Sequence, residues 1–295
     1  MKHAFLILAH KDDLCFRSLI MLLDDDRNDI FIHMDKKNQD YNSAEISRLC
    51  YHASVYHTER TSVTWGGHSM IRAEIMLLEL ATSISSYAYY HLLSGQDLPI
   101  KRQDVIHAFF DSNTGKEFVR FNFKTFQFED RVRYYHCFQE KIGRKRGLFF
   151  YINRLFLLLQ KLVGIHRNRG ISFQKGTNWF SITDAFARFV CGQKEWVEGV
   201  FKNTLCCDEL FIQTLCINSV FKDNVYWPIG DNDDHAIMRL IDWKRGQPYV
   251  WRMTDEDELK STDMLFCRKF DPSIDSQIIE YVKDHLCANP DSEVS

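Results

Sequence analysis

The chain's 295 residues can bury a sizeable core, and 45% hydrophobic with 26% charged content is ordinary for a soluble globular protein. A formal net charge of −3 speaks against nucleic-acid binding by the chain as a whole. Nine cysteines, odd in number and without a CxxC pair, suit reduced buried thiols in a cytoplasmic protein better than a secreted disulfide framework.

The first apolar run, Phe5-Leu6-Ile7-Leu8-Ala9, is too short for a signal peptide or anchor and reads as a buried strand. A helix carrying Leu14, Phe16, Leu19, Ile20 and Leu23 follows, then a strand over 29–34 and a helix around Ile46 and Leu49. Ser54-Val55-Tyr56 is a short third strand, a longer helix covers roughly 68–83, and 87–93 is a fourth strand. Strands separated by helices predict a parallel sheet with right-handed crossovers, whose ligands bind beyond the carboxyl ends of the strands. Three polar clusters fall at those ends: His10-Lys11, Asp35-Lys36-Lys37 and Ser94-Gly95-Gln96-Asp97. They favour one nucleotide-type pocket, while the lack of a Gly-rich fingerprint or P-loop weakens dehydrogenase and ATPase readings.

In the second half the pattern predicts a strand over 178–182, a helix over 184–197, a helix beginning near Asp208, a strand over 236–241 and a short one over 264–267. A closing helix covers 274–287 and the tail is frayed. No repeat, linker or boundary interrupts the chain. It reads as a single domain over 1–288, nucleotide-binding in about 1–110 and acceptor-binding and catalytic in about 111–288, with a frayed 289–295.

Between positions 141 and 183 there is no acidic residue, while Lys141, Arg144, Lys145, Arg146, Arg154, Lys161, Arg167 and Arg169 interleave with Leu148, Phe149, Phe150, Leu155, Phe156, Leu157 and Leu158. A basic amphipathic helix over 141–170 either lies on an anionic membrane surface or packs its apolar stripe on the core. Asp208 and Glu209 head the apolar run Leu210, Phe211, Ile212, Leu215, Ile217. A carboxylate in a helix's first turn is stabilised by the dipole, and one facing a cleft can accept a proton from a substrate hydroxyl; plain helix-start charge is the alternative. Asp24-Asp25-Asp26 and Asp231-Asn232-Asp233-Asp234 match the DxD pattern of metal-dependent transferases. The first lies at the wrong end of the sheet and the second in a polar loop, so both read as solvated turns and no metal is expected. Cys206-Cys207 lacks spaced His or Cys partners for a metal.

Taken together, five blocks and a tail carry a family likeness. They are Ile32-His33-Met34-Asp35-Lys36-Lys37, Ser62-Val63-Thr64-Trp65-Gly66-Gly67-His68-Ser69 with Ala73-Glu74, His91-Leu92-Leu93-Ser94-Gly95-Gln96-Asp97-Leu98-Pro99-Ile100-Lys101, Gly176-Thr177-Asn178-Trp179-Phe180-Ser181-Ile182-Thr183, Asp208-Glu209, and Phe266-Cys267-Arg268-Lys269-Phe270-Asp271. Over roughly 4–285 the chain resembles the core-2/I-branching β-1,6-N-acetylglucosaminyltransferases and the related peptide O-xylosyltransferases. Shorter than the animal enzymes and without their anchor and disulfides, it looks like a bacterial member.

The resemblance implies an α/β fold of GT-A type, with a Rossmann-like, mostly parallel sheet flanked by helices, and an inverting transfer without a metal or other cofactor. It implies Glu209 as catalytic base and Arg239 and Lys269 on the leaving diphosphate, while Asp208 at the helix start reads as the N-cap that aims its neighbour. It places Leu8, Ala9, His10, Asp35 and Trp65 around uracil and ribose. Gln96, Asp97, Trp179 and Asp208 fall near donor and acceptor, Trp179 reading first as core packing, Trp65 alternatively so, and Asp35 equally as a strand-end turn residue. The expected donor is UDP-GlcNAc, then UDP-xylose or UDP-galactose (pyranose or furanose). The expected acceptor is a saccharide, lipid-linked in surface polysaccharide synthesis, reached from the cytoplasm at the inner face of the cell membrane. A non-catalytic glycan-binding module is the reading from another class; it would need no general base.

Overall fold

Along strand β1 (His3–Ala9) the side chains divide by parity: Phe5, Ile7 and Ala9 join one apolar cluster, Ala4 and Leu6 the other. That is the period of two expected of a strand covered on both faces. A computed structural model of the chain describes residues 1–122, 128–231 and 233–287.

Strands β2 (Asn28–Met34), β3 (Ser54–His57), β4 (Tyr89–Ser94), β5 (Asp97–Pro99), β6 (Phe118–Phe121), β7 (Gly176–Thr183), β8 (Arg239–Ile241) and β9 (Phe266–Arg268) follow in chain order. The central sheet has the order β3-β2-β1-β4-β7-β6, and β5-β9-β8 form a separate small sheet. The β1–β2, β1–β4 and β2–β3 pairs are parallel, as the helix-separated pattern predicts. The parallel expectation stops there: β7 runs antiparallel to both β4 and β6.

One face of the sheet is covered by α1 (Leu14–Leu22) and, after the short α2 (Ser43–Ser47), by α4 (Gln103–Ser112). The other carries α3 (His68–Ile84), α8 (Asp184–Gly192), α9 (Lys194–Phe201) and α10 (Phe211–Ile217). Asp13 starts α1, its Oδ1 accepting from Phe16 N at 3.1 Å. Phe5 is fully buried; truncating it to Ala would cost about 3–5 kcal/mol.

Several expected elements differ. The helix over 184–197 is two, because Gln193 N closes α8 on Phe189 O while Gln193 O opens α9 by accepting from Val197 N. The strand over 236–241 shrinks to β8, since Asp233 caps a 3-10 turn over Asp234–Ile237. The closing helix is α12 (Gln277–Tyr281) followed by a wider turn over Val282–Leu286, with α11 (Glu256–Ser261) before β9. The frayed tail 289–295 and Asn232 lie outside the described residues.

Between β6 and β7 the chain makes an excursion through α5 (Asp130–Arg133), α6 (Gln139–Ile142) and α7 (Leu148–Leu162). It returns at Gly176, where a Cβ would lie 1.8 Å from Arg120 O, so only glycine allows that close approach. Helix α7 does not pack its apolar stripe on the core: Asn153 and Gln160 are its buried residues, and Leu148, Leu155, Leu158, Leu159 and Leu162 are exposed. No helix among the described residues is long and apolar enough to cross a membrane.

Candidate functional site

The parallel register sets Ala9 beside Met34 and Leu8 beside Ser94, so the three predicted polar clusters meet at one edge of the sheet. Asp35 N donates to Ala9 O at 2.8 Å and Gly95 N to Leu8 O at 3.0 Å. Asp35 closes its own turn, Oδ1 accepting from Lys37 N at 2.9 Å. His10 keeps exposed surface, yet crowding by its neighbours and then Lys11 hold its imidazole below the usual range.

Lys269 reaches the same edge from behind β9. Its backbone is pinned, Lys269 O accepting from Trp251 N at 3.0 Å and the next residue, Phe270, donating to Gln96 O at 3.0 Å. Partial burial, then Arg268, Arg144 and Lys11, hold the Lys269 ammonium below its usual range, opposed by Asp271. Cations that disfavour one another's charge are arranged for an anion. Arg268 is held from below: its Nη1 pairs with Asp97 Oδ1 at 2.5 Å and donates to Ser94 Oγ, and the guanidinium lies over Trp179 at 4.5 Å. Asp97 also accepts from Ser94 N at 2.8 Å, so Gln96, Asp97 and Trp179 form the support of Arg268 and Lys269 rather than an open pocket wall.

Arg239, expected beside Lys269 on a diphosphate, is 1% exposed. Its Nη1 donates to Ile237 O and its Nη2 to Leu92 O and Phe180 O, each at 2.9 Å. Burial lowers its guanidinium to about 9. The donors that would bind phosphate tie β8 to β4 and β7, so Arg239 is a buried cross-link of the two sheets.

Trp65 is presented on a tight turn. Gly66 has φ +68°, and Glu140 packs against Gly67 while accepting from Ser69 N at 2.8 Å and Ser69 Oγ at 2.9 Å at the start of α3. Arg144 lies over the Trp65 ring at 5.1 Å. Both line a cavity of about 730 Å³ with Arg131, Cys206, Phe150, Asn153 and Arg154. The cavity therefore joins the cationic edge, through Arg144, to the turn that carries Glu209.

That turn is anchored by Cys206 N donating to Gly66 O at 2.9 Å and Leu205 N to Arg131 O at 3.1 Å. Cys206 itself takes a left-handed conformation, φ 48°. Asp208 and Glu209 sit in a 3-10 turn, Cys207–Glu209, and α10 starts only at Phe211, so Asp208 is not its N-cap. Glu209 Oε2 pairs with Arg131 Nη1 at 2.8 Å and Lys175 Nζ at 3.3 Å. Glu209 Oε1 has no protein hydrogen-bond donor among the described residues, which leaves one oxygen to accept a proton.

Asp208 retains some surface, but its Oδ1 is covered and has no hydrogen-bond partner among the described residues. Burial, then Glu209, raises its carboxyl to about 7. Behind it Glu74 on α3 is fully buried beside the Asn178 amide; burial followed by Asp208 pushes its carboxyl well up, opposed by Asn178.

The acidic runs are engaged elsewhere. Asp24 accepts from the backbone N–H of Tyr51, His52 and Ala53, Asp25 pairs with Arg27, Asp233 with His235 and Asp234 with Arg120. Among the described residues no three His, Cys, Asp or Glu converge as a metal-holding group. The thiols of Cys206 (pushed up to about 12) and Cys207 are raised by burial.

Residues that sequence reading left without a role here are Arg131, Lys175, Lys11, Arg144 and Arg268. The last three stood inside singled-out segments, the strand-end cluster, the basic stretch and the tail block. Arg131 and Lys175 carried no signal, because their partner is a distant Glu209.

A family model described as Core-2/I-Branching enzyme matches residues 3–262. Xylosyltransferase oxt of Drosophila melanogaster is 23% identical over 276 residues, covering 87% of this chain and 30% of the relative. Human Xylosyltransferase 2 is 22% identical over 281 residues with the same coverages. The chain thus spans less than a third of the length of these relatives. The crystal structure of mouse Xyloside xylosyltransferase 1, apo form, covers 90% of this chain and 96% of that one, with 9% identity and a TM-score of 0.37.

Proposed function

The chain belongs to the Core-2/I-branching enzyme family, and from that premise we propose that it is a glycosyltransferase, catalysing an inverting, metal-independent transfer from a UDP-sugar to a saccharide hydroxyl. Inversion is one displacement at the anomeric carbon, with a base on the acceptor side and positive charge on the departing diphosphate. Glu209 takes the proton of the acceptor hydroxyl on Oε1 while Arg131 and Lys175 fix the carboxylate through Oε2. Lys269, Lys11 and Arg144 neutralise the diphosphate, and Asp35, Trp65 and the residues Leu8, Ala9 and His10 hold the nucleoside.

The observation that carries this reading is the gathering of Lys269 with Arg268, Arg144 and Lys11 at the sheet edge, where Arg144 also lines the cavity. It supplies the charge a divalent cation would bring, and Asp24, Asp25, Asp233 and Asp234 are already paired with basic side chains or backbone N–H groups. GlcNAc is the first donor candidate; the names of the curated relatives favour UDP-xylose as the second, ahead of UDP-galactose. A lipid-linked saccharide of bacterial surface polysaccharide, met at the cytoplasmic face of the membrane, is the proposed acceptor class.

Screening UDP-sugars for UDP release with and without saccharide acceptors, in excess chelator, tests the proposal. Turnover of one donor in chelator is expected; activity that vanishes and returns only with manganese would overturn it.

A further inference from the structure

Helix α7 is amphipathic with its sides reversed. Asn153 and Gln160, two turns apart, face the protein: Gln160 Oε1 accepts from Tyr135 N at 2.7 Å and Nε2 donates to Tyr135 O at 3.0 Å. On the opposite side Leu148 (73% exposed), Tyr151 (61%), Leu155 (59%), Leu158 (58%) and Leu162 (82%) form a continuous apolar stripe. Such a stripe on a water-soluble chain marks a surface that something covers.

The surrounding charge says what. Arg154 on α7 and Arg146 just before it are exposed, Lys161 is paired with Asp130, and no acidic residue occurs between 141 and 183 of a chain whose net charge is −3. A second copy laid on this face would bring basic rim against basic rim. An apolar stripe bordered by cations fits an anionic bilayer surface. The helix has fifteen residues, about 22 Å of rise, too short for the roughly 30 Å of a bilayer core, so it lies in the plane of the interface.

We propose that α7 is a membrane-docking helix, seated in the headgroup region of a bilayer containing anionic lipid. The inner side of the same helix, Phe150, Asn153, Arg154 and Leu157, lines the cavity beside Arg131 and Trp65. Docking therefore holds that cavity about one helix diameter, some 10 Å, from the lipid, where an acceptor carried by the membrane would be presented; this last point rests on the glycosyltransferase reading above.

Flotation of the full chain with vesicles of phosphatidylcholine alone, or with about a third phosphatidylglycerol, tests it. Co-flotation with the anionic vesicles, weakened by salt, is expected. The double variant Leu155→Gln, Leu158→Gln should lose at least tenfold in vesicle affinity while UDP-sugar hydrolysis is unchanged. Absence of flotation overturns the proposal. So does a dimer in gel filtration that the double variant converts to monomer, which would give the stripe to a second copy. UDP-sugar turnover in the same preparations separates the two ideas: a chain that floats yet turns over no donor keeps its docking helix and loses the proposed chemistry.

Discussion

Arg131 Nη1 stands 2.8 Å from Glu209 Oε2, and Lys175 Nζ reaches the same oxygen at 3.3 Å. The carboxylate is thus gripped on one side and open on the other. Glu209→Gln keeps the shape and the open oxygen but cannot take a proton. Turnover should fall by about 10²–10⁴-fold, while calorimetric UDP affinity and the melting temperature stay near wild type. Unchanged turnover would remove Glu209 from the reaction.

Lys269 and Arg239 should separate cleanly. Lys269→Met is expected to weaken UDP binding by about tenfold or more and to leave the fold alone, because its ammonium has no ion pair among the described residues. Arg239→Met strips the donors from the carbonyls of Ile237, Leu92 and Phe180. A loss of roughly 2–5 kcal/mol in urea unfolding is expected. Loss of UDP affinity in Arg239→Met with full stability would restore it to the ligand.

Glu74 and Asp208 give stability an unusual pH dependence. Their folded values lie above the unfolded ones, Asp208 rising from 3.8 to about 7. The unfolded chain ionises first, so this contribution is intact below about pH 4 and is lost as pH rises, for Asp208 through its folded value near 7. Glu74→Gln removes one such group. Its melting temperature should exceed wild type at pH 8 and match it at pH 4; an equal shift at both would discard the explanation.

Beneath the opposite end of the sheet, His3 Nδ1 and His91 Nε2 lie 3.0 Å apart, and His107 bonds Asn28 Oδ1 at 2.9 Å. Burial holds all three imidazoles down, His3 to about 2. The sign is reversed here: the unfolded chain takes up protons first as pH drops below about 6.5, so stability falls as the pH falls. His107→Gln preserves the bond to Asn28 and should flatten the acid slope between pH 6.5 and 5 in urea titrations.

The first four strands and the meeting of His10, Asp35 and Gly95 were legible because uninterrupted apolar runs signal strands covered on both faces, and strand ends fix where a ligand goes. Strands β5 and β6 are three and four residues long, too short for periodicity. Arg239 misled for a different reason. A basic residue beside a predicted strand looks the same whether its guanidinium meets phosphate or three carbonyls, and the difference lies in Leu92 and Phe180, far away in sequence. The stripe of α7 was visible in the sequence, but its direction was not, since Tyr135 and His136 decide which face turns inward.

The excursion that carries α5, α6 and α7 leaves the sheet at Phe121 and returns at Gly176, and those two residues are Cα partners across the β6–β7 pair. Its ends are therefore stapled together whatever lies between them. Loop-closure entropy grows only with the logarithm of length, so segments of very different size can be carried there without disturbing the strands, provided Arg131 and Lys175 still reach Glu209. The fold has, in effect, an interchangeable attachment, through which one catalytic sheet can be delivered to different surroundings.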